Sequence, residues 1–429
     1  MRSLAVKLNK LTNFILLLTT FVIPLIGPVK NLGFEQAKVF FFLIFLTLAG
    51  LLWLIYSINH PVKIEWTPIK KAAALLMAVL FLTSHLGIDR WNSFLGTQPY
   101  FQGFILYAYL FLFFLLISQS KIKFEYWAYV LAGSSAVVGI LAIKDWILLN
   151  IFHVQIPTYA GRVVSTFGQP NFYAAFILFS LPFSYYLLVI NKGRRSWALL
   201  AILMISILAI IISGSKSVFL LSILLLLIIL SSNFRKKSLF RSSSFAVLIV
   251  ITILIFVQFA FYFFGKDLWD LSLSDNPNLI QQSIEKRPYI WSVAKDITLD
   301  QPIRGYGLEN INLAYANYFA INKHLLFEEN LKISPVLISL KDLNINRTHN
   351  YPLDLLLFSG VLGLISWLLM IFFMIRKLLI SRINLENSVL LIGLLTYLIW
   401  IQFQNQSIVH LIYFWLIAGL IDRDRKSVV

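Results

Sequence analysis

Apolar residues run along most of this chain in blocks of about 20, parted by short polar breaks. A bilayer core takes about 20 apolar residues per helix, so the pattern predicts membrane-spanning helices. Twelve blocks qualify, near 11–29, 37–58, 69–88, 102–118, 126–149, 172–190, 196–213, 216–232, 243–264, 352–375, 388–403 and 407–421. Only Gly214-Ser215 separates the seventh from the eighth, which predicts a tight helical hairpin. One stretch breaks the pattern: Gly265 to Tyr351, 87 residues too polar to sit in a membrane. The chain therefore reads as an all-α polytopic membrane protein of about 12 transmembrane helices with one large extracytoplasmic loop containing short surface helices. Residues 1–264 hold the first nine spans, 265–351 form the loop, and 352–429 hold the last three spans and a short tail. Inside the loop, Ile284, Trp291, Ala294 and Ile297 recur at helical spacing and predict a helix over Gln281–Leu299, lying flat on the bilayer with Trp291 at headgroup level. Pro302 and Gly305-Tyr306-Gly307 stop it. The stretch from Asn310 to Asn346 predicts no definite element.

Composition agrees: 59% hydrophobic and 13% charged residues exclude an ordinary soluble domain. There is no cysteine, so disulfides, thiol chemistry and thiolate zinc sites are excluded. Met1 to Lys10 is basic, but the long apolar run behind it lacks a small-residue cleavage site and reads as a retained first span. The net charge of +17 would suggest nucleic acid, yet its distribution points to a membrane. With the N-terminus in the cytoplasm, 21 Lys and Arg fall in inner segments and 5 (Lys30, Lys38, Arg90, Arg162 and Lys216) in short outer ones. That asymmetry puts both termini inside and the long loop outside. The excess charge faces the anionic inner leaflet.

Candidate chemistry gathers on the outer face. Arg162 is the only charged residue in the loop 150–171. Phe167-Gly168-Gln169-Pro170-Asn171 then leads into the sixth span. Pro170 suits a first helical turn and Asn171 can cap free backbone donors, a purely structural role that stands beside a functional one. Lys216, in Ser213-Gly214-Ser215-Lys216-Ser217, either snorkels to headgroups or, with free helix-terminus amides, holds a phosphate. Arg287 precedes Pro288, and a guanidinium fork suits phosphate better than an ammonium does. Arg304 and Arg347 are further candidates of that kind. Of the six histidines (60, 85, 153, 324, 349 and 410), His349 stands three residues before Pro352 opens a span, which pins its backbone at the membrane surface. A side chain with a pKa near 6.5 suits general-base work at neutral pH. Asp354, in the first turn of that span, complements the helix dipole. No carboxylate and histidine spacing points to a metal, and no phosphate-loop or dinucleotide pattern occurs.

Three pieces in order resemble the O-antigen ligase and polymerase superfamily of bacterial membrane glycosyltransferases. They are Arg162 with Thr166-Phe167-Gly168-Gln169-Pro170-Asn171; Arg287-Pro-Tyr-Ile-Trp291 with Pro302 and Gly305-Tyr306-Gly307; and His349-Asn350 with Gly360 and Gly363. The similarity covers roughly residues 90–421. It implies a donor glycan on a polyprenyl diphosphate carrier, transferred to an acceptor hydroxyl at the outer face of the bacterial cytoplasmic membrane with no metal or nucleotide cofactor. It implies a catalytic role for His349 and diphosphate binding by Arg287 and Arg162, with Lys216 where the family usually has arginine. Asn171 and Arg347 would support them. The partners implied are the lipid-linked donor, a glycan or lipid acceptor and membrane lipids, with no nucleic acid. A ligase of the O-antigen type is the first expectation, and a chain polymerase using the same donor the second. From other classes, a transporter or lipid flippase would show repeated halves and midplane charges, which the sequence lacks. A non-catalytic envelope scaffold would not need His349.

Overall fold

A computed structural model describes residues 2–60, 62–219, 221–222, 225, 278–321, 345–381 and 384–423. The elements are α1 (Arg2–Val22), α2 (Phe34–Asn59), α3 (Pro68–His85), α4 (Arg90–Leu95), α5 (Phe104–Gln119), α6 (Phe124–Asn150), β1 (Thr158–Tyr159), β2 (Arg162–Val163), α7 (Pro170–Ile190), α8 (Arg194–Ile212), α9 (Asn278–Asp300), α10 (Ile311–Ile321), α11 (Tyr351–Ile380), α12 (Leu385–Trp400) and α13 (Ile408–Asp422). Ten of the twelve expected spans are thus helical. The span expected near 243–264 lies outside the described residues, as does most of the one near 216–232 and part of the loop, 265–277 and 322–344. Among the described residues, seven helices are long and apolar enough to cross a membrane, and α5, α12 and α13 are shorter apolar helices.

Local chemistry sets the helix starts. Thr67, Asp89, Asn350, Asn384 and Ser407 each accept a first-turn backbone N–H of the helix they precede. Packing then makes α13 the axis. Every residue from Ile408 to Asp422 is buried, with α5, α12, α11, α2 and α3 against it. α11 lies along α3, and α6 along α7 and α8.

The alternation of spans predicts two sets of helix ends, and the contacts respect that division. At one end Lys70 and Asp422 form a buried ion pair at 2.8 Å. Thr67 also bonds that carboxylate, and Lys377 Nζ donates to the Asp422 carbonyl at 2.6 Å. Arg423 donates to the Ile122 carbonyl at 2.5 Å. These belong to the set expected inside. At the other end the loops after α3, α6, α8, α9 and α12 touch one another, and these belong to the set expected outside.

Three features depart from the sequence reading. The long helix α11 breaks at Gly360 (φ +62°, ψ −166°). The carbonyls of Leu357 and Phe358 accept instead from Tyr306 N (2.8 Å) and Gly307 N (2.9 Å), while Val361 N donates to Pro302 O (2.8 Å). The break therefore forms a seam with the Pro302–Gly307 turn, and only glycine fits: a Cβ at Gly360 would stand 2.2 Å from the Ile303 oxygen. Second, α9 packs Ile290, Val293, Ala294 and Ile297 into protein rather than onto a bilayer, and Trp291 Nε1 donates to the Thr348 carbonyl at 2.8 Å. Third, Lys38, counted above as a surface cation, is fully buried in α2. Its Nζ donates to Thr166 O at 2.5 Å and lies 5.1 Å from the centre of the Phe167 ring.

Candidate functional site

Arg162 opens the second strand of a tight two-strand hairpin whose turn residues, Ala160 and Gly161, both have positive φ. Its guanidinium donates to the carbonyls of Ser213 (3.3 Å) and Gly214 (3.4 Å), so it closes the C-terminal end of α8 beside Lys216. Lys216 is exposed. Its neighbour Ser217 accepts from Gln404 Nε2 at 3.3 Å, and Gln404 Oε1 accepts from Asn171 Nδ2 at 3.4 Å. Asn171 therefore does not cap α7; Gln169 occupies the cap position without a side-chain bond, and Pro170 is the first helical residue. Arg287 donates to the Phe403 carbonyl at 2.9 Å. Asn350 Nδ2 donates to the Gln402 carbonyl at 3.3 Å, and Tyr351 N to Ile401 O at 2.9 Å.

Asn171, Ser217 beside Lys216, Arg287, and Asn350 beside His349 thus reach one short connection, Ile401 to Ser407 between α12 and α13, while Arg162 reaches the Ser213-Gly214 turn next to Lys216. Arg162, Lys216, Asn171, Arg287 and His349 all belong to that connected network or adjoin a residue that does. The connection itself was not foreseen. Its one sequence signal is an uncharged link carrying four amide side chains, Gln402, Gln404, Asn405 and Gln406, between two spans.

Neither Arg162 nor Arg287 makes an ion pair among the described residues, and the Nε of each is buried without a partner. Burial lowers the pKa of both guanidiniums, an electrostatic cost that a bound anion would offset. Arg347 differs. It is buried in an ion pair with Glu309, donates to Gln102 Oε1 at 3.4 Å, and stands 4.5 Å from the Tyr100 ring centre. Its support is structural: it ties the segment before His349 to the Glu309 turn. Arg304 bonds Gln301 and is exposed.

His349 adopts φ +61°, a left-handed conformation uncommon for a side chain of its size. Burial, and then the field of Arg287, push its pKa down to about 4, so the imidazole is neutral at physiological pH. Its Nδ1 is buried with no hydrogen-bond partner among the described residues. The turn around it is closely held. Asp354 Oδ1 accepts from both the backbone N and the hydroxyl of Thr348, each at 2.7 Å. Asn350 caps α11 by accepting from Leu353 N at 3.0 Å. Asp354, expected to serve the helix dipole alone, thus has a specific bond outside its helix. Of the other histidines, His410 is fully buried, bonding Phe172 O at 2.9 Å and Ser407 N at 3.1 Å, and His324 lies outside the described residues. Among the described residues no group of three or more His, Cys, Asp or Glu could hold a metal ion.

The apolar helical bundle thus carries at one end two arginines that make no ion pair among the described residues and a histidine that is neutral at physiological pH. The O-antigen ligase family model matches residues 201–368, which include Lys216, Arg287, His349 and Gly360. That match supports membership of the O-antigen ligase and polymerase superfamily, the family its motifs resemble, and indicates ligase- or polymerase-type function. Arg162, Asn171 and the Ile401–Ser407 connection lie outside the matched residues. No curated protein matches the chain.

Proposed function

We propose that this protein is an O-antigen ligase-like glycosyltransferase. It moves a glycan from a polyprenyl diphosphate carrier to an acceptor hydroxyl at the outer face of the bacterial cytoplasmic membrane. The observation that carries the reading is the meeting of Arg287, Asn350 beside His349, and Gln404 with Asn171 and Ser217 on adjoining residues of one loop.

In this reading Arg287, Arg162 and Lys216 grip the diphosphate. His349, neutral before the reaction, takes the proton from the acceptor hydroxyl as its oxygen bonds to the anomeric carbon. The bond from that carbon to the diphosphate breaks with inversion, and its electron pair leaves with the lipid diphosphate. Negative charge grows on the leaving group, and the fixed cations stabilise it without a metal. Positioned general-base help contributes roughly 10²–10⁴-fold to such a step.

The test is transfer in vitro from a defined polyprenyl diphosphate glycan to a panel of acceptors: lipid cores, lipid-linked glycans and protein hydroxyls. His349→Ala and Arg287→Ala should both lose most of the rate, and only the arginine variant should also bind donor weakly. Full activity of His349→Ala would remove the base assignment. Chain extension in place of capture by a lipid core would make the protein a polymerase of the same superfamily.

A further inference from the structure

The left-handed conformation of His349 is uncommon for any residue that carries a side chain, so its neighbours must hold it. Thr348 is the point where they act. Its backbone N and hydroxyl both reach Asp354 Oδ1 at 2.7 Å. Its carbonyl accepts from Trp291 Nε1 at 2.8 Å. Its hydroxyl oxygen also lies 3.3 Å from Asn350 N, which can donate to it. Thr348 is completely buried and Asp354 nearly so. Trp291 stands one helical turn after Arg287 on α9, so a single helix face carries both the diphosphate candidate and a bond to the residue before His349. Asp354 in turn sits on the first turn of α11, fixed by the Asn350 cap and by Tyr351 N on Ile401 O.

We propose that Thr348, clamped between Asp354 and Trp291, is a positioning residue that locks His349 in its left-handed turn and registers it against the Arg287 helix. This rests on the glycosyltransferase reading for its catalytic consequence, but the lock itself is a property of the fold. The clamp is distinct from the charges facing the imidazole. Arg287 is the cation beside the ring; Arg347 is committed to Glu309, and Asp354 to Thr348.

The test compares Thr348→Val, which keeps the shape and loses the hydroxyl, with Thr348→Ser, which keeps the hydroxyl. Two readouts are taken on folded, detergent-purified protein. The first is transfer kinetics over a range of donor concentrations. Thr348→Val should lower kcat at least tenfold with donor KM within about twofold of the wild type, because displacing a base by about 1 Å can cost 10²-fold. Thr348→Ser should stay within about threefold. The second is NMR titration of the His349 ring, assigned with His349→Ala. In Thr348→Val its midpoint should rise towards 6.5 as the ring leaves its buried place, and in Thr348→Ser it should stay low. Wild-type kcat together with an unmoved midpoint in Thr348→Val would overturn the proposal. So would equal losses in the valine and serine variants, or a loss confined to donor KM. If His349→Ala itself transfers at full rate, the catalytic reading fails, and the titration still decides whether Thr348 locks the turn.

Discussion

The seam between the Pro302–Gly307 turn and the broken helix α11 makes a sharp prediction at Gly360. Alanine there must hold φ +62° and ψ −166°, a region essentially reserved to glycine, at a cost of about 1–3 kcal/mol. Its Cβ must also stand 2.2 Å from the oxygen of Ile303 and 2.7 Å from that of Pro302, closer than real contacts allow. Relief comes only by parting the seam, which forfeits up to three backbone hydrogen bonds at about 0.5–1.5 kcal/mol each. Gly193, at the start of α8, supplies the control. It too has a positive φ, +68°, but a Cβ there meets nothing within 4 Å. Gly193→Ala should therefore carry the conformational cost alone. Gly360→Ala should exceed it by the seam bonds, roughly 1.5–4.5 kcal/mol. Thermal unfolding followed by tryptophan fluorescence in detergent would read this as a Tm several degrees below the control. Since the seam continues into α9, donor binding should weaken in Gly360→Ala and stay normal in Gly193→Ala. Equal Tm values for the two variants would refute the argument that the seam, and not backbone freedom alone, demands glycine.

Three further outcomes follow from the structure. His349 is held near pKa 4 by burial and by Arg287, so the acid limb of kcat/KM for the free enzyme should lie near pH 4. The limb of kcat should lie higher, because bound diphosphate offsets the arginine's field; a free-enzyme limb at 6.5 would count against the buried base. The unfolded chain takes up that proton first, so acidification from about pH 6.5 to about 4 destabilises the fold, and His349→Ala should flatten that slope in pH-dependent melting. At the opposite end, Lys70→Met leaves the buried Asp422 carboxylate without its ion-pair partner and should cost about 3–5 kcal/mol in unfolding measurements, with transfer per folded molecule unchanged. Gln404→Leu removes the links to Asn171 and Ser217 at similar volume and should raise donor KM about tenfold with kcat nearly constant in steady-state transfer assays.

Much of this was legible because polar residues stand out in an apolar chain. Arg162, Lys216, Arg287 and His349 were visible as isolated chemistry at span ends, and their order carried the family resemblance. The Ile401–Ser407 connection stayed hidden because amides between two spans look like any loop, and its importance lies in backbone carbonyls that a side-chain pattern does not report. Lys38 misled because hydropathy treats a lysine as a boundary, whereas here a carbonyl and two phenylalanine rings receive it. Gly360 reads in sequence as an ordinary small residue in an apolar helix. Its left-handed φ follows from a turn more than fifty residues earlier, which no local period encodes.

The burial of α13 on all sides bears on how the protein is made. It follows every other described helix in the chain, yet it fills the middle of the bundle, tied at its start by Glu35 on Ile408 N and at its finish by Lys70 on Asp422. In the finished fold the earlier helices therefore close around a segment made after them. A chain truncated before Ile408 should lack the segment those helices pack against, and pulse-chase labelling in cells should show it degraded faster than the full chain.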